Sequence, residues 1–270
     1  MRDGARVVAV DWSGAVVGAA RKIWLAEVDD GAVTRLEHGR SREATRDVLC
    51  AMVRAARDAG AALTIGLDFA FSLPAWFLDA RGLAHAPALW AAAERDGARW
   101  LACAVPPFWG RGGVRRPAGI EPYRATEREV AAATGLRPSS AFKLVGPDQV
   151  GAASVRGMPV LAALRAAGAR VWPFDDVAPG VPTVCEIWPR AAYAEPVVKS
   201  RVEARAAYLA RHAPALDAAA RDAAERSDDA FDAASAALAM WAHRAALRAL
   251  PPARDARERR EGRIWWPGLR

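Results

Sequence analysis

The hydrophobic pattern begins with two apolar runs that both end in aspartate. Arg6–Asp11 and residues 62–68 show no alternation of apolar and polar positions. Such a run is typical of a strand that is covered on both faces of its sheet. Two further strands are predicted between them, at residues 22–28 and at Ala32–Glu37, with a turn at residues 29–31.

A helical period separates the third and fourth of these predicted strands. Residues 41–59 carry their apolar side chains along one side of a helix, with Ser41 as the N-cap. The predicted order up to residue 68 is therefore β-β-β-α-β. The stretch from about residue 71 to 155 is less regular, and we interpret it as an insertion because no clear linker bounds it. Its predicted elements are helices at residues 86–99 and 126–134 and, between them, a loop rich in Pro, Gly, Arg and Trp at residues 105–123.

The second half of the chain also mixes helical and extended patterns, which is typical of an α/β domain. Helices are predicted at residues 159–167 and 199–211, and strands at residues 169–172 and 183–188. A long Ala-rich helix is predicted from Ser227 to about Leu250, where two prolines stop it. We expect one domain over residues 1–270, with no internal repeat.

The matched strand ends predict that two carboxylates meet at one edge of the sheet. If the two strands are parallel and adjacent, Asp11 and Asp68 project at the same edge, roughly 4.8 Å apart across the strands. Open α/β sheets place their sites at this carboxyl edge. Ala9 and Gly66, two residues earlier on the same side of each strand, are small and leave room for another element to approach. A turn-capping role is the alternative interpretation of either Asp alone.

Asp229 and Asp232 provide two further carboxylates. Their spacing of three puts both on one face near the start of the Ala-rich helix. Residues 233–237 are nearly all small, so this helix can lie close to the sheet and bring its carboxylates to the strand ends. Four clustered carboxylates repel one another, and Mg²⁺ or Mn²⁺, which prefer oxygen ligands, would relieve that repulsion. The alternative is that acidic residues here only stabilise the helix start through its dipole.

These residues give the chain a resemblance to the ribonuclease-H-like superfamily, especially to its resolvase-like branch. More narrowly, the chain resembles the domain-of-unknown-function 429 family of predicted ribonuclease-H-like nucleases, over nearly its whole length. The motifs that carry the resemblance are Val8-Ala-Val-Asp11, Gly66-Leu-Asp68, Asp229-x-x-Asp232-Ala, Gly146-Pro-Asp-Gln-Val-Gly151, Val171-Trp-Pro-Phe174, Cys185-Glu-Ile-Trp-Pro189 and Glu261-Gly-Arg-Ile264.

The resemblance implies an α/β fold with a mixed five-stranded sheet flanked by helices. In that sheet the first three strands are antiparallel, the fourth is parallel to the first, and the insertion follows the fourth strand. The resemblance also implies a metal-dependent nuclease. Members of the superfamily often carry Glu on the fourth strand, whereas this chain has the shorter Asp68. This departure bears on how the metal site is occupied.

Several other residues are candidates with simpler alternatives. Glu186 is a fifth candidate, as a metal ligand or a residue that orients water, or else a polar residue of an edge strand. Ser13 is a candidate phosphate contact or an ordinary turn hydroxyl. A loop that combines positive charge with aromatic faces is a candidate nucleic-acid contact or an ordinary surface loop. Its named residues are Trp109, Arg111, Arg115 and Arg116.

The composition adds a basic charge balance. Among 270 residues, 38 are Lys or Arg and 31 are Asp or Glu, a net charge of +7 that favours a nucleic-acid partner. Three cysteines and four histidines are scattered without metal-ligand spacing, so neither a disulfide framework nor a cysteine-ligated zinc site is expected. We recognise no signal peptide and no apolar stretch long enough to span a bilayer, and we expect a cytoplasmic protein without a membrane partner. The sequence makes no prediction of the oligomeric state.

The predicted function is hydrolysis of a phosphodiester bond with two Mg²⁺ or Mn²⁺ ions. Asp11 would bridge both ions, Asp68 and Asp232 would each contact one, and Asp229 would complete the shell. One alternative is a nucleotide-binding protein of the actin/sugar-kinase type, although the sequence shows one copy of the fold and no glycine-bearing phosphate loop. Another is a non-catalytic nucleic-acid-binding scaffold.

Overall fold

The computed structural model of the chain describes residues 5–146 and 149–269. Residues 147 and 148, which belong to the motif between Gly146 and Gly151, lie outside the described residues. A mixed sheet runs through the described part of the chain. Its strands are β1 (Arg6–Asp11), β2 (Trp24–Asp29), β3 (Ala32–Glu37), β4 (Leu63–Leu67), β5 (Arg170–Val171), β6 (Thr183–Ile187) and β7 (Ile264–Trp265).

The strand order is β3-β2-β1-β4-β6-β5, and β7 also pairs with β6. The first three strands are antiparallel neighbours and β4 is parallel to β1, as predicted. Val10 lies opposite Leu67, so β1 and β4 end at the same level of the sheet. The expected count of five strands is wrong. The described residues form seven, because the two-residue strands β5 and β7 both pair with β6.

Helices flank the sheet. Those of the described residues are α1 (Ala19–Lys22), α2 (Arg42–Asp58), α3 (Ala75–Asp79), α4 (Ala86–Ala102), α5 (Ala125–Thr134), α6 (Val150–Ala166), α7 (Pro189–Ala192), α8 (Val202–His212), α9 (Ala218–Arg226), α10 (Asp228–Ala242), α11 (Arg244–Arg248) and α12 (Glu258–Glu261), with a 3-10 turn at Arg111–Gly113. Ser41 caps α2 as predicted, since its hydroxyl accepts a hydrogen bond from the backbone N–H of Ala44 at 3.1 Å. None of these helices combines the length and the apolar character that a membrane crossing requires.

Two helices differ most from their predicted bounds, and α4 and α8 differ by about one turn at one end. α6 begins at Val150, nine residues earlier than predicted, and Pro159 lies inside it. The small and apolar residues that precede this proline are buried, so packing extends the helix beyond the start that Pro suggests. α10 ends at Ala242 because the backbone of His243 leaves the helical conformation, and α11 follows as a separate helix. The sequence pattern also misses α9 and the short helices α1, α3, α7 and α12.

Side-chain alternation along β1 explains why its sequence shows no polar face. Val8 and Val10 belong to the larger hydrophobic core, which includes residues of α2, α4 and α6. Val7 and Ala9 belong to a second core, which includes residues of α10. Both faces of the strand are therefore covered, as the apolar run predicts.

Gly66 lets α10 lie close to the sheet. A Cβ atom at this position would stand 2.6 Å from Sδ of Met240 and 2.8 Å from Cγ2 of Ile187, closer than packed atoms allow. The predicted close approach of the Ala-rich helix to a small strand residue is therefore confirmed.

Residues 71–146 share the larger core. Phe77, Trp90 and Phe142 from this segment pack in the same cluster as Val10 and Leu67. The stretch that we interpret as an insertion is thus continuous with the domain in its packing.

The end of the described chain returns to the sheet through β7. Trp265 and Trp266 are buried, and β7 pairs in parallel with the end of β6. This pairing docks the segment that follows α12 onto the sheet.

Candidate functional site

The ends of β1 and β4 open into a cleft of about 490 Å³, here termed the acidic cleft. Asp11 ends β1, and the backbone N–H of Asp68 donates to the carbonyl of Val10 at 3.0 Å, which ties the two strand ends together. Asp229 and Asp232 line the same cleft from the start of α10. The structure thus brings together the four carboxylates whose convergence the sequence predicts. These four residues are termed the carboxylate cluster.

Burial and neighbouring negative charge raise the pKa of every member of the carboxylate cluster. For Asp11, burial is the largest cause, and the charges of the other three members raise its pKa further. Burial and the charge of Asp232 raise the pKa of Asp68 to about 7. Burial and the charge of Asp228 raise the pKa of Asp229 to about 6. Burial also raises the pKa of Asp232, which Lys199 opposes. Positive charge at this place would relieve the repulsion.

Two donors that the sequence pattern does not predict hold Asp232. The hydroxyl of Tyr193 donates to its Oδ1, and Nζ of Lys199 donates to its Oδ2. Burial is the largest single influence and lowers the pKa of Lys199, but the charge and hydrogen bond of Asp232, together with the charges of Asp11 and Asp228, raise that pKa above its ordinary value. Lys199 therefore stays positively charged and neutralises part of the carboxylate cluster.

The donors in the acidic cleft suit a hard divalent cation, because Mg²⁺ and Mn²⁺ prefer carboxylate oxygens. Nonetheless, within residues 5–146 and 149–269 no group of three or more His, Cys, Asp or Glu side chains is arranged to hold a metal ion. The ammonium of Lys199 also engages an oxygen of Asp232 that such a cation would use.

Comparisons with protein-family models, curated proteins and solved structures give no match for this chain. The ribonuclease-H-like assignment and the narrower family resemblance therefore stay predictions. The structure establishes the coarser statement, an α/β fold whose described residues form a mixed seven-stranded sheet flanked by helices.

Glu186, the fifth predicted candidate, does not line the acidic cleft. It lies opposite Leu67 in the pairing of β4 with β6, and side chains alternate along a strand, so Glu186 and Asp68 are on opposite faces of the sheet. Both carboxylate oxygens of Glu186 accept hydrogen bonds from Arg124, and one also accepts from the backbone N–H of Phe71 at 2.9 Å. The structure therefore gives Glu186 a buried ion pair and does not bring it to the carboxylate cluster.

The predicted nucleic-acid loop lies on another surface. Trp109 packs against Phe142, and the guanidinium of Arg116 lies over the Trp109 ring at 6.0 Å. Arg111 lines a different groove, and Arg115 is exposed. None of the four loop residues named from the sequence lines the acidic cleft.

The turn after β1 forms one wall of the acidic cleft. Ser13 lines the cleft. Its hydroxyl accepts a hydrogen bond from the backbone N–H of Ala15 at 3.2 Å, as expected for the alternative prediction of an ordinary turn hydroxyl. Gly14 packs so tightly that a Cβ atom there would stand 2.4 Å from the backbone N of Ala153. The turn and the start of α6 are therefore fixed against each other beside Asp11.

The rim of the acidic cleft carries basic and aromatic side chains that the sequence pattern does not single out. They are Lys22, Arg137, Arg190, Lys199, Trp12 and Trp188. Two signals point to part of this set. The chain has only three lysines, and two of them are here. Trp188 and Arg190 follow the end of β6, at the same edge where Asp68 follows β4. The other members come together only through tertiary packing.

Proposed function

We propose that this chain is a divalent-metal-dependent nuclease that hydrolyses phosphodiester bonds of DNA or RNA in the acidic cleft. The observation that carries the proposal is the carboxylate cluster, in which four Asp side chains have pKa values raised by burial and by neighbouring charge. The carboxylate cluster repels a phosphodiester unless cations lie between the carboxylates and the phosphate. Carboxylates are the ligands that Mg²⁺ and Mn²⁺ prefer.

The roles of the four carboxylates follow from their mutual charges. The charges of all three others act on Asp11, so Asp11 would be the ligand that two ions share. Asp68 and Asp232 would each hold one ion, and Asp229 would complete the shell. When bound, the ions supply a water of lowered pKa and stabilise the leaving oxygen. The chain itself contributes oxygen ligands that strand and helix ends hold in fixed positions.

The basic rim supports a nucleic acid as the substrate. Lys22, Arg137 and Arg190 line the cleft around the carboxylates, and ammonium and guanidinium groups bind phosphate oxygens. Trp188, half-buried at the same rim, offers a face on which a base can stack. The net charge of +7 adds a long-range attraction for a polyanion.

The test is cleavage of DNA, RNA, hybrid and branched oligonucleotides by the purified protein in Mg²⁺ or Mn²⁺. We expect cleavage that EDTA abolishes. Asp11→Asn should reduce the rate by more than about 100-fold, because losing a bridging ligand costs more than losing an outer-shell partner. Asp222→Asn is the matched control, since it makes the same change at an exposed residue of α9 that does not line the cleft.

Cleavage that continues unchanged in Asp11→Asn would refute the assignment. Cleavage that is equally fast in EDTA would refute the role of the metal. If Mn²⁺ binds but every substrate stays intact, the metal site stands and the nuclease proposal fails.

A non-catalytic nucleic-acid-binding scaffold is the second candidate, and one observation favours it. Lys199 already neutralises part of the carboxylate cluster at Asp232, and a basic rim binds phosphates without a metal. For this candidate, calorimetric titration with Mn²⁺ gives no heat of binding, while oligonucleotide binding persists in EDTA. The nuclease proposal requires saturable Mn²⁺ binding that Asp11→Asn weakens.

A further inference from the structure

A second groove, of about 530 Å³, lies among α2, α4 and α6. Four arginines line it, namely Arg42 and Arg46 of α2, Arg111 of the 3-10 turn and Arg156 of α6, and it is termed the arginine groove. Glu43 and Glu94 also lie on its walls. Arg46 forms an ion pair with Asp47, whereas no carboxylate within the described ranges forms an ion pair with Arg42, Arg111 or Arg156. The groove therefore holds three guanidinium groups without an ion-pair partner among the described residues.

The guanidinium groups of the arginine groove repel one another. Burial lowers the pKa of Arg42, and the charge of Arg156 lowers it further, while Glu43 opposes the shift. Burial and the charge of Arg111 lower the pKa of Arg156. An anion that binds among such groups relieves their repulsion.

The guanidinium groups of Arg42 and Arg156 are half-buried, and each already donates hydrogen bonds to the turn beside the acidic cleft. Arg42 donates through Nε and Nη2 to the carbonyl of Ser13, at 3.0 and 2.8 Å. Arg156 donates through Nη1 to the carbonyl of Gly14 at 2.7 Å. Nη1 of Arg42 and Nη2 of Arg156 donate to no acceptor in the part of the chain that the structure describes. These N–H groups remain for an anionic ligand.

The arginine groove and the acidic cleft share a wall. Ser13 and Gly14 line the cleft, and Val16, two residues further along the same turn, lines the groove. α6 also runs along both, with Ala153 in the cleft and Arg156 in the groove. A strand of nucleic acid that lies in the cleft thus reaches the groove by crossing one turn of the chain.

We propose that the arginine groove binds backbone phosphates of the nucleic-acid substrate at a distance from the bond that is cut. The identity of this ligand rests on the proposed function. Guanidinium groups form short, charge-assisted hydrogen bonds with phosphate oxygens and present several donors in one plane. Val16, which is 68% exposed, adds an apolar contact for a sugar or a base beside them.

The experiment measures binding of a labelled single-stranded oligonucleotide by fluorescence anisotropy in EDTA, over a series of salt concentrations. Arg111→Ala and Arg156→Gln should each weaken binding about fivefold at low salt. Each should also reduce the slope of log K against log salt by about 0.7, which is the loss of one phosphate contact on a single strand. Arg226→Ala, which removes an exposed charge from α9, is the matched control and should bind like the unsubstituted protein.

Two further measurements distinguish the loss of a phosphate contact from other causes of weaker oligonucleotide binding. An oligonucleotide with uncharged methylphosphonate linkages should bind all four proteins with the same weak affinity. Arg111→Lys should restore most of the affinity lost in Arg111→Ala, and matching thermal melts confirm that the variants are folded.

Unchanged affinity and salt slope in both Arg111→Ala and Arg156→Gln would overturn the proposal. Equal competition by polyglutamate would overturn it as well, since the groove would then take an acidic polypeptide. Cleavage is scored separately in Mg²⁺ or Mn²⁺ with the unsubstituted protein. If the arginine substitutions weaken binding but no substrate is cut, the groove assignment stands and the nuclease proposal fails.

Discussion

At the scale of single residues, Lys199 controls the charge of the carboxylate cluster. Its ammonium engages one oxygen of Asp232, and the hydroxyl of Tyr193 engages the other. A divalent cation that binds Asp232 has to compete with this ammonium. On the proposed function, the ion pair would therefore limit how tightly the cluster binds a metal.

Lys199→Met should tighten Mn²⁺ binding, because it removes the competing cation from Asp232. We expect about a two- to fivefold lower dissociation constant by calorimetry, since the Lys199 side chain is partly exposed and solvent weakens its ion pair. Tyr193→Phe, which removes a neutral donor from the same carboxylate, should change the affinity less. Weaker Mn²⁺ binding in Lys199→Met would mean that Lys199 supports the metal site instead of competing with it.

Residue patterns predict Asp11 and Asp68 because each follows an apolar run, and a strand end is a local signal. They do not predict which way Glu186 points, since that depends on the pairing of β6 with β4. Tyr193 and Lys199 are missed for a related reason. Lys199 lies in the irregular segment between α7 and α8, and tertiary packing alone brings it to Asp232.

At the scale of elements, the contact of α10 with the sheet positions half of the carboxylate cluster. Gly66 makes this contact possible, because any side chain there would overlap Met240 and Ile187. The same contact therefore serves the core and the site.

Gly66→Ala should lower the free energy of unfolding by about 1–3 kcal/mol, because the added Cβ pushes α10 away from β4. Urea denaturation measures this loss. Met240→Ala combined with Gly66→Ala should cost less than the sum of the two single changes, since removing Sδ relieves the overlap. Strict additivity of the two losses would show that α10 does not press on Gly66.

Local pattern predicts most elements near the site but not all of their limits. The strands β1 and β4 are predicted from unbroken apolar runs, β2 and β3 from the turn signal between them, and the helix α2 from its strong apolar period. The start of α6 is missed because burial of small residues before Pro159 extends the helix past the start that this proline suggests. β7 is missed because two residues carry no period, and only their pairing with β6 makes them a strand.

At the scale of the whole molecule, charge is divided between two adjoining surfaces. The acidic cleft concentrates negative charge at the carboxyl edge of the sheet, and the arginine groove concentrates positive charge among α2, α4 and α6. The stability of the metal-free protein should therefore respond to pH through the carboxylates.

The rise in Tm that Mn²⁺ produces should be small at pH 5 and larger at pH 8. The pKa of Asp68 in the folded protein is about 7, above its ordinary value of 3.8, so ionisation of Asp68 opposes folding. That cost is absent below about pH 4, grows as pH rises, and is fully present above about pH 7. A bound cation removes the cost and competes with protons for the same oxygens.

Thermal melts at both pH values, with and without Mn²⁺, measure this effect. Asp11→Asn should lose most of the Mn²⁺-dependent rise. An equal rise at pH 5 and pH 8 would contradict the coupling between metal and protons.

β1 and β4 pair in parallel with Ala9 opposite Gly66 and Val10 opposite Leu67. Because neighbouring side chains on a strand point to opposite faces, a slip of one residue would carry Asp68 to the face that Leu67 occupies and would bury a charge among apolar groups. The apolar packing on both faces of these strands therefore keeps β1 and β4 in register, and a change that loosens this packing should misplace Asp68 before it unfolds the protein.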